Sequence, residues 1–163
     1  MTTTELHNLQ NACNQLLSQQ KTLLLASRNQ VGNPDISYAP YHYHDFKFYI
    51  FVSDLAKHSQ NLRSHPQASI MFIEPEAQAS NPFARQRLSF DCRVQEISQT
   101  DLVFSKVLHA MTAEFGEIVS LLRQLPDFHL FALTPTHGQF IAGFGKAFVV
   151  DAEAQVQLPT GAP

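Results

Sequence analysis

The chain has 163 residues, of which 11 are basic and 14 acidic, and its formal net charge of −3 argues against a general nucleic-acid binder. The length is that of one domain, 1–163, with a sizeable hydrophobic core. Only 15% of the residues are charged, whereas 44% are hydrophobic and 13 are Phe, so we expect a second subunit to cover part of the surface.

Three segments are predicted to be helices. Apolar residues recur at helical spacing within 1–20, behind a Thr-rich start that can cap a helix, and again over 101–124. The later helix contains one glycine, Gly116, near which we expect it to bend. A short helix is predicted over 55–64. The last residues, 152–163, are rich in Pro, Gly and Ala and are expected to form a flexible tail.

The remaining apolar segments are predicted to be strands separated by turn residues. They lie at 36–40, 46–53, 68–73, 87–95, 128–135, 139–142 and 146–150, after a short apolar run at 23–27. Residues 137–138 are interpreted as a turn between two of these strands, and 42–45 as a hairpin tip. About six to seven short strands indicate a mainly β (α+β) fold, a small antiparallel barrel or sandwich with added helices.

The start of the short helix is the first candidate binding site. Lys57 and His58 lie in its first turn, and Ser53 ends the strand before it. Unpaired backbone N–H groups and the helix dipole favour an anion at such a position. The alternative is a pair of polar surface residues that only caps the helix.

Two arginines form a second candidate site. Arg85 and Arg87 are two residues apart, so both side chains leave one face of a strand. A guanidinium group suits a carboxylate or a phosphate, which makes the pair a candidate clamp for either. A salt bridge to Asp91 or Glu74 is the alternative interpretation.

Three histidines and one aspartate complete the candidates. His42 and His44 share one face of an extended segment, which suits a metal or iron ligand as well as a solvated turn. His137 is the last histidine of the sequence and a reserve iron ligand. Asp127, which follows a proline and opens a strand, is either a turn residue or an acid that supports a ligand.

The cysteines and the hydropathy pattern bear on location. Cys13 and Cys92 form no Cys-x-x-Cys pair, so a structural zinc site is not expected. The sequence shows no apolar signal segment and no run of about 18 apolar residues. Two unpaired thiols fit a reducing compartment, so a cytoplasmic protein without a membrane span is predicted.

Three motifs follow one another along the chain in a characteristic order. They are Ala56-x-His58-x-x-Asn61-Leu62, Phe83-Ala84-Arg85-x-Arg87-Leu88 and Gly143-Phe144-Gly145-x-Ala147. With them, the chain resembles the HugZ/HutZ-type heme-utilisation proteins over roughly residues 21–150. These heme-degrading proteins form a branch of the pyridoxamine 5′-phosphate oxidase-like, FMN-binding split β-barrel superfamily.

The resemblance implies a homodimer of antiparallel split β-barrels with a cofactor at the subunit interface. It implies that heme is the cofactor, and the expected cofactor-binding residues of this chain are Ser53, Lys57, His58, Arg85 and Arg87. It also implies an axial histidine from the C-terminal tail and an acid hydrogen-bonded to it. Asp127 matches the acid, but no histidine follows His137, so the axial ligand stays open among His137, His42 and His44.

The resemblance leaves three functions open. The first is a heme-binding protein that degrades heme to a bilin with O₂ and a reductant and so releases iron. The second is an FMN-binding oxidoreductase with the FMN phosphate at Lys57, His58 and Arg87, and the third is a carrier of heme or flavin without turnover. Vitamin B6 oxidation is not expected, because His58 and Arg87 replace the lysine and glutamine of the oxidases and the chain contains no Trp.

Overall fold

A computed structural model of the protein describes residues 2–157. They form a closed six-stranded antiparallel β-barrel with one further strand and four α-helices, which confirms the predicted barrel. The elements are α1 (Thr3–Gln19), β1 (Thr22–Arg28), β2 (Pro34–His44), β3 (Lys47–Ser53), α2 (Lys57–Ser64), β4 (Gln67–Ile73), β5 (Arg87–Ile97), α3 (Leu102–Phe115), α4 (Ile118–Leu122), β6 (Phe128–Gly143) and β7 (Lys146–Val150).

One long strand, β6, closes the barrel. The strand order is β3-β2-β1-β4-β5-β6-β7, and β3 pairs in addition with β6. The first half of β6 pairs with β3, from Phe48 opposite Leu133 to Ser53 opposite Phe128, and its second half pairs with β7. The other edge of β6 pairs with β5. Closure in this way removes the exposed edge that β3 would otherwise present.

Aromatic side chains fill the barrel. The ring of Phe48 packs against those of Tyr41, Phe72 and Phe90 at centroid distances of 5.6, 5.2 and 5.7 Å. The three Phe side chains are at most 1% exposed, and each such burial stabilises the fold by about 1.5–3 kcal/mol. Helix α1 adds buried side chains to this core at one end of the barrel, and α2 does so at the other end.

A second apolar cluster lies outside the barrel, where α3 and α4 cover β3 and β6. Its buried members are Tyr49, Phe51, Phe104, Val107, Leu108, Met111, Val119, Leu130 and Ala132. Helix α3 ends at Gly116, whose φ of 87° suits a residue without a Cβ. The predicted helix 101–124 is therefore two helices, divided at the residue where a bend was expected.

The predicted turn at 137–138 is wrong, because β6 runs through it as one continuous strand. A Cβ at position 138 would lie 2.6 Å from the ring of Phe90, so this glycine serves close packing rather than a turn. The register with β5 shifts at Asp91 and Cys92, and Thr136 is the extra residue of the resulting β-bulge. The predicted turn thus lies directly after this bulge.

The predicted hairpin tip at 42–45 is displaced by two residues. His42 and His44 belong to β2 and pair with Tyr49 and Lys47 of β3. The turn itself is Asp45–Phe46, and both residues have positive φ angles, 51° and 57°. Two such residues form the short turn that matches the twist of paired strands.

Part of the predicted flexible tail, 152–163, packs against α1. The side-chain amide of Gln10 donates to the carbonyl oxygen of Ala154 and accepts from the backbone N–H of Val156, at 3.0 and 2.8 Å. Both of these tail residues are buried. Residues 158–163 lie outside the described residues. Within 2–157, no helix is long and apolar enough to cross a membrane.

The contact at Gly138 yields a test of the β6 assignment. We expect Gly138→Ala to lower the free energy of unfolding by about 1–3 kcal/mol, because the Phe90 ring is buried and cannot move away. Urea denaturation measures this loss. Phe90→Leu in the same background makes room for the methyl group, so the double variant is expected to lose less than the sum of the single variants. Additive losses would contradict the close contact.

Candidate functional site

The corner at which β3 ends brings two of the predicted site residues together. Ser53 Oγ donates a hydrogen bond to Asp127 Oδ2 at 2.6 Å and accepts one from the backbone N–H of Leu55 at 3.0 Å. The backbone N–H of Asp54 donates to the carbonyl oxygen of Asp127 at 2.8 Å. The corner therefore holds the half-buried Asp127 carboxylate in one orientation.

Helix α2 begins just after this corner and carries two more of the predicted site residues, Lys57 and His58. Lys57 is exposed, whereas His58 is half-buried with Nδ1 2.9 Å from Ser37 Oγ. The Nε2 atom of His58 is buried and has no hydrogen-bond partner in the described part of the chain. Burial lowers the pKa of His58 and so favours the neutral ring. The positive charge at this helix start is that of Lys57, and His58 ties α2 to β2.

Buried polar contacts fix α2 on the end of the barrel. Asn61 Nδ2 donates to Ser27 Oγ at 3.0 Å and to Asp35 Oδ2 at 2.8 Å, and Ser59 Oγ donates to the carbonyl oxygen of Ser53 at 2.6 Å. Because buried amides without partners are destabilising, these bonds fix the helix position. The asparagine of the first motif is therefore a structural residue that joins α2 to β1 and β2.

A network of Arg63, Asp54, Glu96 and His129, which the sequence interpretation missed, surrounds the same corner. Arg63 of α2 contacts the carboxylates of Asp54 and Glu96, with Nε 2.8 Å from Glu96 Oε2. His129 Nε2 lies 2.9 Å from Asp54 Oδ2 and its Nδ1 lies 2.8 Å from Glu96 Oε1. No local pattern indicates this network, because its members come from four separate segments.

The network shifts the ionisation of both carboxylates. Hydrogen bonds from the Arg63 guanidinium, and after it contacts with His129, hold the pKa of the Asp54 carboxyl below its ordinary value. The Arg63 guanidinium likewise lowers the pKa of Glu96. Both groups are therefore ionised at neutral pH, and the network links α2, β5 and β6 around the Asp127 corner.

The two predicted arginines lie at the opposite end of the barrel. Arg85 donates from Nε and Nη2 to the carbonyl oxygen of Glu74 at 3.0 and 2.6 Å, and Arg87 Nη1 donates to the carbonyl oxygen of Arg85 at 3.2 Å. Arg87 begins β5, whereas Arg93 pairs with Gln67 beside the end of α2. Six strand residues span about 20 Å, so one chain does not bring Arg87 and α2 together.

Apolar side chains point outward from the barrel sheet. Ile36 and Tyr38 of β2 are 79% and 66% exposed. Tyr38 pairs with Leu24, and Leu24 pairs with Met71 on the other side, so these three share one row and one face of the sheet. Contiguous exposed apolar surface of this kind marks a binding or association surface. We call Ile36, Tyr38, Leu24 and Met71 the apolar face.

Comparison with known proteins shows the family to which the chain belongs. The pyridoxamine 5′-phosphate oxidase family model matches residues 9–142, and HutZ of Vibrio cholerae, named a heme oxygenase, is 39% identical over 140 residues, which are 86% of this chain and 80% of HutZ. The chain belongs to the pyridoxamine 5′-phosphate oxidase family, in its HutZ-type branch.

Solved structures of this branch have the same fold. The crystal structure of Vibrio cholerae HutZ, there called a heme storage protein, matches with a TM-score of 0.78 and 36% identity over 83% of this chain and 94% of that one. The structure of Campylobacter jejuni ChuZ matches with a TM-score of 0.82 and 25% identity over 96% of this chain and 65% of that one.

The three histidines that were predicted as candidate iron ligands lie apart from the corner formed by Ser53 and Asp127. The rings of His42 and His44 stack at 6.3 Å, and His42 Nδ1 lies 3.5 Å from Glu114 of α3. His137 is exposed on β6 and pairs with Asp91 on the outer face. Within residues 2–157, no group of three His, Cys, Asp or Glu side chains is arranged to hold a metal ion.

The lowered pKa values of Asp54 and Glu96 predict how stability depends on pH. A carboxyl whose pKa is depressed in the folded state stabilises that state above its unfolded pKa and loses this contribution as the pH falls through the folded pKa. Between about pH 5 and pH 3, we expect the unfolding free energy to fall less steeply in Arg63→Gln than in the unsubstituted protein. Urea denaturation at each pH measures the slope.

Arg123→Gln is the control for this experiment, because that guanidinium contacts Ser105 and the Phe104 ring rather than a carboxylate. Its slope is expected to match that of the unsubstituted protein. Parallel curves for Arg63→Gln and the unsubstituted protein would show that the network does not set the two pKa values.

Proposed function

We propose that the protein is a heme-binding protein of the heme-utilisation type that acts as a homodimer, with heme between the two copies. The observation that carries the proposal is the 39% identity to HutZ over 86% of the chain, together with the shared fold. HutZ is named for heme both as a curated protein and as a solved structure, and this favours heme over the FMN alternative.

The division of the candidate residues between two ends of the barrel supports a site made by two copies. Ser53, Lys57 and Asp127 lie at the α2 end, and Arg87 lies about 20 Å along β5 from Arg93, which is beside the end of α2. A two-fold axis through the apolar face would set the α2 end of one copy against the Arg87 end of the other. Such an arrangement uses the same surface twice, as symmetric dimers do.

The side chains at the α2 end fit heme by their chemistry. The apolar face offers contact to a flat hydrophobic ring, and Lys57 offers a positive charge to a propionate group. Ser53 fixes the Asp127 carboxylate as an acceptor for a ligand-bound proton. Arg85 is engaged by the Glu74 carbonyl, so its proposed role is to hold the loop that orients Arg87.

The iron ligand is proposed from the chain's own histidines. A heme iron needs one axial side chain rather than a cluster, and bound heme supplies the iron that activates O₂. His137 lies on the outer face of the sheet, in the row that Ala26, Ser69 and Asp91 join to Ile36. His137 is therefore our first candidate, ahead of His42 and His44.

The proposed location is the cytoplasm, and the proposed role is in iron acquisition. Cys13 and Cys92 are unpaired and buried, and burial raises their pKa values to about 11 and about 12, so both stay protonated. Unpaired thiols fit a reducing compartment. Release of iron from heme requires that the protein degrades heme. HutZ is named both a heme oxygenase and a heme storage protein, so the experiment below tests degradation against storage.

Titration of the purified protein with hemin and, in parallel, with FMN tests the proposed cofactor. We expect a Soret band to develop with hemin and no flavin spectrum to be retained after FMN addition and gel filtration. Ascorbate under air then separates degradation from storage: loss of the Soret band with a bilin product shows an oxygenase, and an unchanged band shows a carrier. Retention of FMN without hemin binding would refute the heme assignment.

Dimerisation through the apolar face is tested by Tyr38→Glu. We expect the mass from light scattering to fall from twice the 18.3 kDa of one chain to once that value, with loss of hemin binding, because a charge replaces an outward apolar side chain. Leu102→Glu is the matched control, because Leu102 of α3 is another exposed apolar residue, with 89% of its surface accessible. This variant should remain dimeric. A dimer that survives Tyr38→Glu would place the interface elsewhere.

A further inference from the structure

A groove on the outer face of the sheet lies beside α2 and contains none of the residues discussed as cofactor ligands. Its volume is about 590 Å³, within the range of sites for small organic ligands. The ends of β1 and α2, the start of β4 and the middle of β5 line it. Ala26, Arg28, Gln67, Ser69, Asp91 and Arg93 are among its lining residues. A second recess of about 480 Å³ shares Arg28, His65, Gln67 and Arg93 with it.

Strand register sets two arginines on either side of this groove. Gln67 pairs with Arg93, and two residues further Ser69 pairs with both Asp91 and Ala26. Arg28 follows Ala26 by two residues on β1, so Arg28, Gln67 and Arg93 occupy one outward row across three strands. Neighbouring strands are about 4.8 Å apart, which sets the two arginine backbones roughly 10 Å from each other. Two guanidinium groups on stems of this length can reach one anion.

These two arginines differ from the others near this end of the barrel. Arg63 contacts two carboxylates, whereas neither Arg28 nor Arg93 forms a salt bridge with any of residues 2–157. The acid of the lining, Asp91, lies in the neighbouring row and accepts a hydrogen bond from Ser69. Gln67 lies between the two arginines, and the neighbouring outward row has the small side chains of Ala26 and Ser69, which leave room for a ligand. The lining therefore carries two guanidinium groups against the single carboxylate of Asp91, an excess of positive charge.

We propose that Arg28 and Arg93 form a two-sided clamp for the carboxylate groups of the ligand. The inference rests on the proposed function, in which the ligand carries two propionates, and it adds two binding residues that the sequence interpretation did not contain. The groove adjoins the apolar face, because Ala26 pairs with Ile36. A ring that lies on that face can therefore extend its acidic side chains between the two guanidinium groups, each of which suits a carboxylate geometrically.

The clamp predicts a loss of affinity that depends on the ligand's charge. Hemin and hemin dimethyl ester have the same ring and iron, but the ester lacks the two carboxylates. We expect Arg28→Gln and Arg93→Gln each to raise the Kd for hemin about five- to tenfold and the double variant to raise it more, since each removes a charge-assisted contact. The Kd for the dimethyl ester should change less than about twofold. Soret-band titrations give both constants.

The control variant is Arg123→Gln, which removes an equally positive side chain from α4 and should leave both Kd values unchanged. Light scattering and urea denaturation establish that the variants keep the fold and association state of the unsubstituted protein. Equal losses for hemin and for its ester would show an effect on packing and would overturn the clamp. Unchanged hemin binding in the double variant would also overturn it, while the proposed heme function would stand.

If the unsubstituted protein binds neither hemin nor its ester, the proposed function fails. Binding of a carboxylate ligand in the groove is then tested separately. The probe is then succinate, which carries two carboxylates, and the readout is the pair of Nε–Hε resonances of Arg28 and Arg93 in a ¹H–¹⁵N spectrum. Shifts of both resonances that saturate with succinate would retain a carboxylate clamp. Their absence would remove it.

Discussion

Pairing of β3 with the first half of β6 is the contact on which the rest of this structure depends. It converts an open sheet into a closed barrel and buries the Phe48 ring against Phe72 and Phe90. Its last pair, Ser53 with Phe128, also brings the Ser53 hydroxyl to the carboxylate of the preceding residue, Asp127. The candidate corner is thus a direct consequence of closure, and a change that opens the barrel would separate the corner's two residues.

Charged side chains around α2 fall into two groups with different physical roles. The charge of Arg63 is balanced by the carboxylates of Asp54 and Glu96, which also contact His129, so these contacts join α2, β5 and β6 and the Arg63 charge is not available to a ligand. Arg28 and Arg93 have no such counterion within residues 2–157 and border a groove. Paired charges mainly fix geometry, whereas unpaired charges next to a cavity gain most from an anionic ligand. This difference separates the structural arginines from the candidate binding arginines.

Local patterns predicted the elements better than they predicted the roles of individual residues. The Ala56-to-Leu62 motif correctly indicated a short helix after a strand, but His58 turned out to point toward Ser37 with a lowered pKa, and Asn61 to bind two residues of the barrel wall. Arg85 had the residue type and spacing of a ligand clamp and instead binds the Glu74 carbonyl. A residue type determines which hydrogen-bond and ion-pair partners are suitable, but the tertiary packing determines which of these partners lies within reach.

Glycine positions show the same limit in a different way. Gly116 has the backbone angle that only glycine adopts readily, and the sequence indicated a bend there from composition alone. Gly138 was interpreted by the same rule as a turn residue, but it lies within β6 because the Phe90 ring occupies the space of its Cβ. The first requirement is local to the backbone. The second comes from a residue almost fifty positions earlier in the chain.

The amino-acid sequence by itself determined the order of the strands and helices, the family and the segment on which the candidate site was sought, because these follow from short-range periodicity and from motifs in a fixed order. Tertiary structure decided which charges are paired, which end of the barrel each arginine occupies and which face remains apolar and exposed. Those properties depend on strand register and closure, which join residues distant in sequence, such as Ser53 with Asp127 and Gln67 with Arg93. No local pattern contains that information, since register is fixed only when the whole barrel packs.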